Sequence, residues 1–158
     1  MDHDAIVERM RLELTPGLYD EIRELWKSHS IAEDNRDILG LLATLTDDCV
    51  YRLPQTGDTW TGHDGARLFY TELLTAFPDI DFNLEEIVIG PQGVAETARV
   101  TATHQDRWLC YPGSGNPIEF RVVIFFPWDI ERRLFHGETV FVDDFSALTP
   151  SLAGQAPS

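Results

Sequence analysis

Residues 118–142 read IEFRVVIFFPWDIERRLFHGETVFV and contain two long apolar runs, 118–126 and 134–142, with polar side chains between the apolar ones. Runs of this length that are rich in β-branched and aromatic residues predict strands. The run 94–108 precedes them across the turn sequence PGSGNP, residues 112–117. From Ile80 the apolar residues alternate, and they slip out of phase across Glu85-Glu86, which predicts a β-bulge. These segments together predict a four-strand antiparallel meander.

The first half of the chain reads as helical. Leu18, Ile22, Leu25 and Trp26 have the spacing of an amphipathic helix that begins at Pro16-Gly17. A weaker stripe precedes it at 6–10, a shorter helix follows at 38–45, and a further helix is expected from 62 to 77, after a short strand at 48–53. We therefore expect an α+β fold in which three to four helices pack on one face of a highly curved antiparallel sheet. Residues 1–150 would form one domain and 151–158 a flexible tail.

Composition argues against several classes of function. The 158-residue chain has a net charge of −15 and only 12 Lys plus Arg, which argues against nucleic acid and anionic membranes as partners. The two cysteines lack any metal-ligand spacing, so we expect neither a metal nor another cofactor. The N-terminus lacks the features of a signal peptide, and we expect a cytoplasmic protein.

The segment 122–126, VVIFF, is apolar on both alternating faces. A meander with one face in water should alternate apolar and polar residues. We therefore expect the second face to be covered, and a second copy of the chain is the simplest cover, which predicts a homodimer.

Several landmarks in order resemble the SnoaL-like polyketide cyclase group of the nuclear transport factor two-like superfamily. They are Gly62-His63, the segment 76–79 (AFPD), Thr103-His104, the 112–115 hairpin, and Gly137-Glu138 followed by Asp143. The resemblance, over roughly 22–148, implies a cone-shaped α+β barrel, a homodimer and an apolar pocket inside the cone. The group includes cyclases, isomerases, dehydratases, epoxide hydrolases and non-catalytic binders, so the fold leaves the reaction open.

One departure from the group concerns the acid/base residue. The resemblance places the aspartate of the polyketide cyclases at Val140, and valine cannot move a proton. The Arg-x-Asp pair of the limonene-epoxide-hydrolase-like enzymes corresponds to Arg99-Val100-Thr101, which also lacks the carboxylate.

Glu138 is the first candidate for a catalytic group, because positions two apart in a strand share a face and Val140 is expected to face the pocket. A carboxylate in an apolar pocket suits general acid/base chemistry, although Glu138 could instead pair with Arg121 or Arg99 at the rim. His104 could relay a proton or be structural, and Tyr51 could polarise a substrate oxygen or be a core residue. Asp143 is either catalytic or the N-cap of the turn that follows it.

The residues expected to line the pocket are Val140, Trp60, Trp108, Arg121 and Phe125. With Glu138, His104, Tyr51 and Asp143 they predict an enzyme that performs acid/base chemistry on a small, apolar, oxygenated molecule: cyclisation, isomerisation or dehydration. A non-catalytic binder of hydrophobic ligands and a structural dimeric partner module are the alternatives. The latter would have an interior filled by side chains, without a cavity of about 300 Å³ or more.

Overall fold

A computed structural model describes residues 2–149, which form four α-helices, six strands and one turn of 3-10 helix. The helices are α1 (His3–Met10), α2 (Pro16–Asp34), α3 (Ile38–Leu42) and α4 (Gly62–Ala76), and the 3-10 turn is Phe145–Leu148. The strands are β1 (Leu45–Leu53), β2 (Asp58–Thr61), β3 (Asp81–Gly90), β4 (Gly93–Thr103), β5 (Pro117–Asp129) and β6 (Leu134–Val142). The predicted tail, 151–158, lies outside the described residues.

The strands form one open sheet in the order β2-β1-β6-β5-β4-β3. The meander from β3 to β6 is antiparallel, as predicted, and it contains the predicted bulge as a register shift between Leu84 and Glu86. The sheet as a whole is mixed, because β1 pairs with β6 in parallel. This parallel pairing places Tyr51 directly beside Glu138.

The helices α2, α3 and α4 pack on one face of the sheet, which we call the inner face. Side chains cap the starts of two helices: Thr15 accepts a hydrogen bond from the Leu18 N–H at the start of α2, and Asp37 accepts one from the Gly40 N–H at the start of α3. Along α4 the buried positions recur at helical spacing, at 66, 69, 70, 73 and 76. Among the described residues, no helix is both long enough and apolar enough to cross a membrane.

Several elements differ from the prediction. The helix expected over 38–45 ends at Leu42, and the strand expected over 48–53 begins at Leu45. The strand expected over 94–108 ends at Thr103, because the peptide groups of His104 bond to residues 114–116 and the N–H groups of Gln105 and Asp106 bond to the Ala76 carbonyl. Trp108 therefore lies on the loop 104–116. The short strand β2 was not predicted, and it pairs with the end of β1 through the register Val50–Thr61.

Strand β5 alternates regularly between buried and exposed positions from 117 to 126. Val122, Ile124 and Phe126 face inward, while Val123 and Phe125 are exposed on the outer face, at 48% and 37%. Within one chain the outer face is thus open, although the sequence of the segment is apolar throughout.

Candidate active site

Glu138 lies inside the fold and is only 5% exposed. Strand β6 brings it there, because residues 138, 140 and 142 are buried on the face that the helices cover, and Val140 is 7% exposed. A carboxylate at such a position needs hydrogen bonds to compensate for its lost hydration.

Three side chains meet at one oxygen of this carboxylate. The Tyr70 hydroxyl donates to Glu138 Oε1 at 2.7 Å, the Tyr51 hydroxyl lies 3.0 Å from the same atom, and His29 Nε2 lies 3.0 Å from it. The two phenol oxygens are themselves 2.8 Å apart. No hydrogen bond from residues 2–149 reaches Oε2, so the two oxygens of this carboxylate have different surroundings.

The orientation of the His29 ring is fixed by a chain of hydrogen bonds. The Thr44 hydroxyl donates its hydrogen to the Leu41 carbonyl at 2.7 Å, and the same oxygen lies 2.7 Å from His29 Nδ1. Because the hydroxyl has already used its hydrogen, Nδ1 must carry a proton and donate to Thr44. In the neutral ring Nε2 is therefore an acceptor.

This tautomer limits the contacts that Nε2 can make. In the neutral ring Nε2 accepts a hydrogen bond, and the Tyr70 hydroxyl lies 3.0 Å from it. A hydrogen bond across the 3.0 Å contact between Nε2 and Glu138 Oε1 instead needs a proton between these two atoms. His29 can therefore bond to either Tyr70 or Glu138, according to where the hydrogens of the cluster lie.

The two tyrosines serve as donors. Burial and the charge of Glu138 raise the pKa of Tyr51 and of Tyr70 well above the ordinary value of a phenol. Both hydroxyls thus keep their protons at neutral pH, and both are available to stabilise negative charge in the site.

Two further carboxylates lie near His29, around a cavity between α2 and the inner face of the sheet. Trp26 Nε1 donates to Glu96 Oε2 at 2.7 Å, and burial raises the pKa of Glu96 to about 7. Burial and the charges of Glu138 and Glu96 also raise the pKa of Glu33. His29, Glu33 and Glu96 all line this cavity, whose volume is about 60 Å³.

His104 lies away from this cluster. It is fully buried, its ring packs on Phe77 with centroids 5.0 Å apart, and neither ring nitrogen has a hydrogen-bond partner among the described residues. Burial lowers the pKa of His104, so the imidazole is neutral near pH 7. Trp108 is also buried and contacts Phe77, while Trp60 is partly buried and contacts Phe69.

Three of the predicted site residues lie outside the interior. Arg121 and Phe125 are on the outer face because of the alternation of β5, and Arg121 pairs with Glu85 at 3.1 Å rather than with Glu138. Asp143 is exposed and accepts a hydrogen bond from the Arg121 N–H at 2.8 Å. The cap of the terminal turn is Asp144, one residue later than the prediction.

Sequence reasoning missed His29, Thr44, Tyr70, Glu33 and Glu96. The signals for three of them were present: His29 continues the α2 stripe at i+7 from Ile22, Tyr70 lies on the apolar stripe of α4, and Glu96 alternates with inward-facing apolar residues of β4. A polar residue on an apolar stripe is the pattern that would have identified them. Within the described residues, no group of three His, Cys, Asp or Glu is arranged to hold a metal ion.

Solved structures share this fold at low sequence identity. A candidate SnoaL-like polyketide cyclase from a Jannaschia species has a TM-score of 0.72 at 17% identity, with 84% of this chain and 91% of that chain covered. AclR, a candidate hydroxylase from Streptomyces galilaeus, has a TM-score of 0.64 at 18% identity over 79% and 90%. A candidate ketosteroid isomerase from Kribbella flavida has a TM-score of 0.59 at 19% identity over 89% and 93%. At these identities the likeness concerns the fold alone.

No curated protein sequence matches the chain. The profile of the SnoaL-like polyketide cyclases, in contrast, matches residues 18–132, which is well over half of the chain and runs from α2 to the turn between β5 and β6. The chain belongs to the SnoaL-like polyketide cyclase family.

Proposed function

We propose that this protein is a small-molecule enzyme that needs no cofactor and uses Glu138 to move a proton on an apolar, oxygenated substrate. The observation that carries the proposal is the asymmetry of the Glu138 carboxylate: Oε1 is held by Tyr51, Tyr70 and His29, whereas Oε2 has no partner among residues 2–149. A general base needs a fixed orientation and one free oxygen within reach of the substrate.

Each group in the cluster has a role in such a reaction. Oε2 removes a proton from a carbon next to a substrate carbonyl, and the electron pair of the broken C–H bond moves to the carbonyl oxygen. The Tyr51 hydroxyl can stabilise that oxygen if it turns its single hydrogen from Oε1 to the substrate while Tyr70 and His29 keep Oε1 in place. Return of the proton to another atom gives isomerisation, and attack of the enolate on a second carbonyl gives cyclisation. His29 positions the carboxylate and shares its proton.

His104 fits the same proposal as a contact to a distant part of the substrate. Its two nitrogens are buried without a partner in the described structure. A neutral imidazole can donate to a substrate carbonyl through one nitrogen and accept from a hydroxyl through the other.

The small volume of the cavity favours a second candidate. The cavity beside Glu96 holds about 60 Å³, whereas sites for drug-sized ligands have about 300 Å³ or more. A substrate of two or more rings would have to displace side chains in order to reach Glu138. A non-catalytic module, or a binder that opens around its ligand, is therefore the alternative.

Exchange of hydrogen for deuterium into 1-tetralone, followed by NMR in D₂O, tests the proposal. This bicyclic ketone is apolar and has enolisable hydrogens. The wild-type protein should accelerate exchange, and Glu138→Gln, which keeps the shape and an acceptor oxygen, should lower the catalysed rate by about 10² to 10⁴. Asp143→Asn is the matched control, because it neutralises an exposed carboxylate on the same strand end and should retain the rate.

The other outcomes separate the candidates. Full exchange by the Glu138→Gln variant would exclude Glu138 as the base. Saturable binding of 1-tetralone by calorimetry without exchange would favour a binder. Neither binding nor exchange, for this ketone and for larger polycyclic ketones, would favour a partner module.

We further propose that the protein is a homodimer in the cytoplasm, joined through the outer face of the sheet. Val123, Phe125 and Phe141 are neighbours on β5 and β6 and are 48%, 37% and 43% exposed. Contiguous exposed apolar residues of this kind mark interaction surfaces, and a second copy of the chain offers an identical patch. Both cysteines are free thiols, which suits a reducing compartment.

A further inference from the structure

A groove of about 470 Å³ lies on the opposite side of the sheet from Glu138, between the segment that follows α1 and the ends of β5 and β6. Its apolar lining consists of Leu12, Phe125, Pro127, Trp128 and Ile130 together with Pro91. Ile130 is 55% exposed and Leu12 is 42% exposed. We call this feature the cationic groove, because of the charges described next.

Every ionisable residue that lines the cationic groove is basic: Arg9, Arg52 and His136. The chain has 27 Asp plus Glu against 12 Lys plus Arg, so a groove without a lining carboxylate departs from the rest of the surface. Asp48 lies 3.4 Å from His136 Nδ1, and Arg132 also pairs with that carboxylate. The two arginines of the groove therefore face no compensating charge within it.

The two arginines of the groove differ from most other Lys and Arg side chains in having no hydrogen-bond acceptor among the described residues. In the described part of the chain, nine of the twelve pair with a carboxylate or donate to a backbone carbonyl. They are Arg11, Arg23, Lys27, Arg36, Arg99, Arg107, Arg121, Arg132 and Arg133. The side chains of Arg9, Arg52 and Arg67 have no acceptor among residues 2–149, and Arg9 and Arg52 line the same groove.

The groove therefore combines an apolar lining with two guanidinium groups that have no carboxylate beside them in that lining. Trp128 contributes to the lining, but its ring packs inward on Phe135, with centroids 5.9 Å apart.

We propose that the cationic groove binds a small apolar molecule that carries one carboxylate, such as an aromatic or branched aliphatic acid. The guanidinium groups hold the carboxylate, for which their planar donor geometry is suited, and the apolar body packs against Phe125, Pro127 and Ile130. The site is separate from Glu138, so the proposal goes beyond the enzymatic one and does not depend on it. The groove shares Phe125 with the proposed dimer surface, and a second copy of the chain is the competing occupant.

Isothermal titration of the full chain with 2-naphthoate tests the proposal. The neutral analogue 2-naphthamide, which has the same rings, should bind at least about tenfold more weakly. Arg9→Gln and Arg52→Gln should each weaken 2-naphthoate binding by about three- to tenfold. Arg67→Gln is the matched control, because it removes the same charge at an unpaired arginine on α4 and should leave binding unchanged. Raising the salt from about 25 to about 250 mM should weaken the acid and leave the amide unchanged.

Four results would overturn the inference. The first two are no binding of 2-naphthoate at millimolar concentration in low salt, and equal affinity for 2-naphthoate and 2-naphthamide. The third is an equal loss of 2-naphthoate affinity in the Arg67→Gln variant. The fourth is a change in sedimentation of the Arg52→Gln variant without a change in its 2-naphthoate affinity. The last result would assign the groove to a contact between subunits. Loss of binding in the Arg9 and Arg52 variants alone, with wild-type sedimentation, would support it.

Discussion

Glu96→Gln should make the protein more stable at alkaline pH. Glu96 faces the interior from β4, is 8% exposed and accepts a hydrogen bond from Trp26 Nε1 at 2.7 Å. Burial is the main cause that raises the pKa of its carboxyl from 4.5 to about 7, and the charge of Glu138 acts in the same direction. Glutamine has the same shape, keeps an oxygen for Trp26 and never ionises.

The sign and size of the effect follow from the two pKa values. Between pH 4.5 and pH 7 the unfolded chain has released the proton of Glu96 while the folded protein still holds it. Stability contributed by this group is therefore fully present below pH 4.5 and is lost as the pH rises through 7. A shift of this size corresponds to about 3 kcal/mol. Glu96→Gln should match the wild type near pH 4.5 and exceed its free energy of unfolding by about 2 to 3 kcal/mol at pH 8.

Urea unfolding followed by circular dichroism at several pH values between 4.5 and 8 measures this difference. Glu72→Gln, a change at an exposed position of α4, is the control and should show no such divergence. Glu33 remains in both proteins, but the charge of Glu96 raises its pKa, so removal of that charge adds to the gain of the variant at alkaline pH. A difference between Glu96→Gln and the wild type that does not change with pH would refute the reasoning, and so would a variant that is less stable than the wild type at pH 8.

Three further changes test other parts of the structure. Tyr70→Phe removes the hydroxyl that donates to Glu138 at 2.7 Å, leaves almost no cavity, and should lower the free energy of unfolding in urea by about 1.5 to 3 kcal/mol. Tyr111→Phe, whose hydroxyl has no hydrogen-bond partner among residues 2–149, should lower it by less than about 0.5 kcal/mol. Equal losses in the two variants would contradict the hydrogen bond between Tyr70 and Glu138. In sedimentation experiments the wild type should have about twice the chain mass of 17.9 kDa, and Val123→Glu should have the mass of one chain. Leu39→Glu, at a 69% exposed position of α3, should keep the mass of the wild type. A wild type that sediments as a monomer would exclude the dimer. Gly137 has a φ of +102°, and its backbone lies against β1, so the Cβ of an alanine would collide with the Val50 carbonyl oxygen. Gly137→Ala should therefore lower the free energy of unfolding by about 3 kcal/mol. A variant with the melting temperature of the wild type would contradict this close approach.

The sequence predicted the parts of the fold that depend on local periodicity. α2, α4 and the meander from β3 to β6 are long and strongly patterned, and the slip at Glu85-Glu86 identified the bulge. The parallel pairing of β1 with β6 joins segments more than 80 residues apart, and no local pattern indicates which strand is the partner. The strand β2 has only four residues, too few to show a period.

The same distinction applies to the candidate site. Residues two apart on a strand share a face, which predicts Glu138 on the same inner face as Val140, and both side chains are buried there. The partners of Glu138 come from α2, α4 and β1, and their arrangement around one oxygen follows from tertiary packing. The placement of Arg121 and Phe125 could not be read from 122–126, because a fully apolar run hides which residues face outward.

The position of the acid/base group connects the departure at Val140 with the cluster around Glu138. Glu33, Glu96 and Glu138 come from three different elements, and their carboxylates interact around the His29 region. Ionisation of all three in a largely buried region would place several negative charges close to a single imidazole, which is costly in a medium of low dielectric constant. The raised pKa values of Glu33 and Glu96 are the physical response, since protons are retained there. An aspartate at Val140 would add a fourth carboxylate two residues from Glu138 on the same inner face. In this chain a valine at that position and a glutamate with three hydrogen-bonding partners two residues earlier therefore belong to the same arrangement. In the proposed reaction the proton-transfer group is that glutamate, two residues before the position that the family resemblance gives to an aspartate.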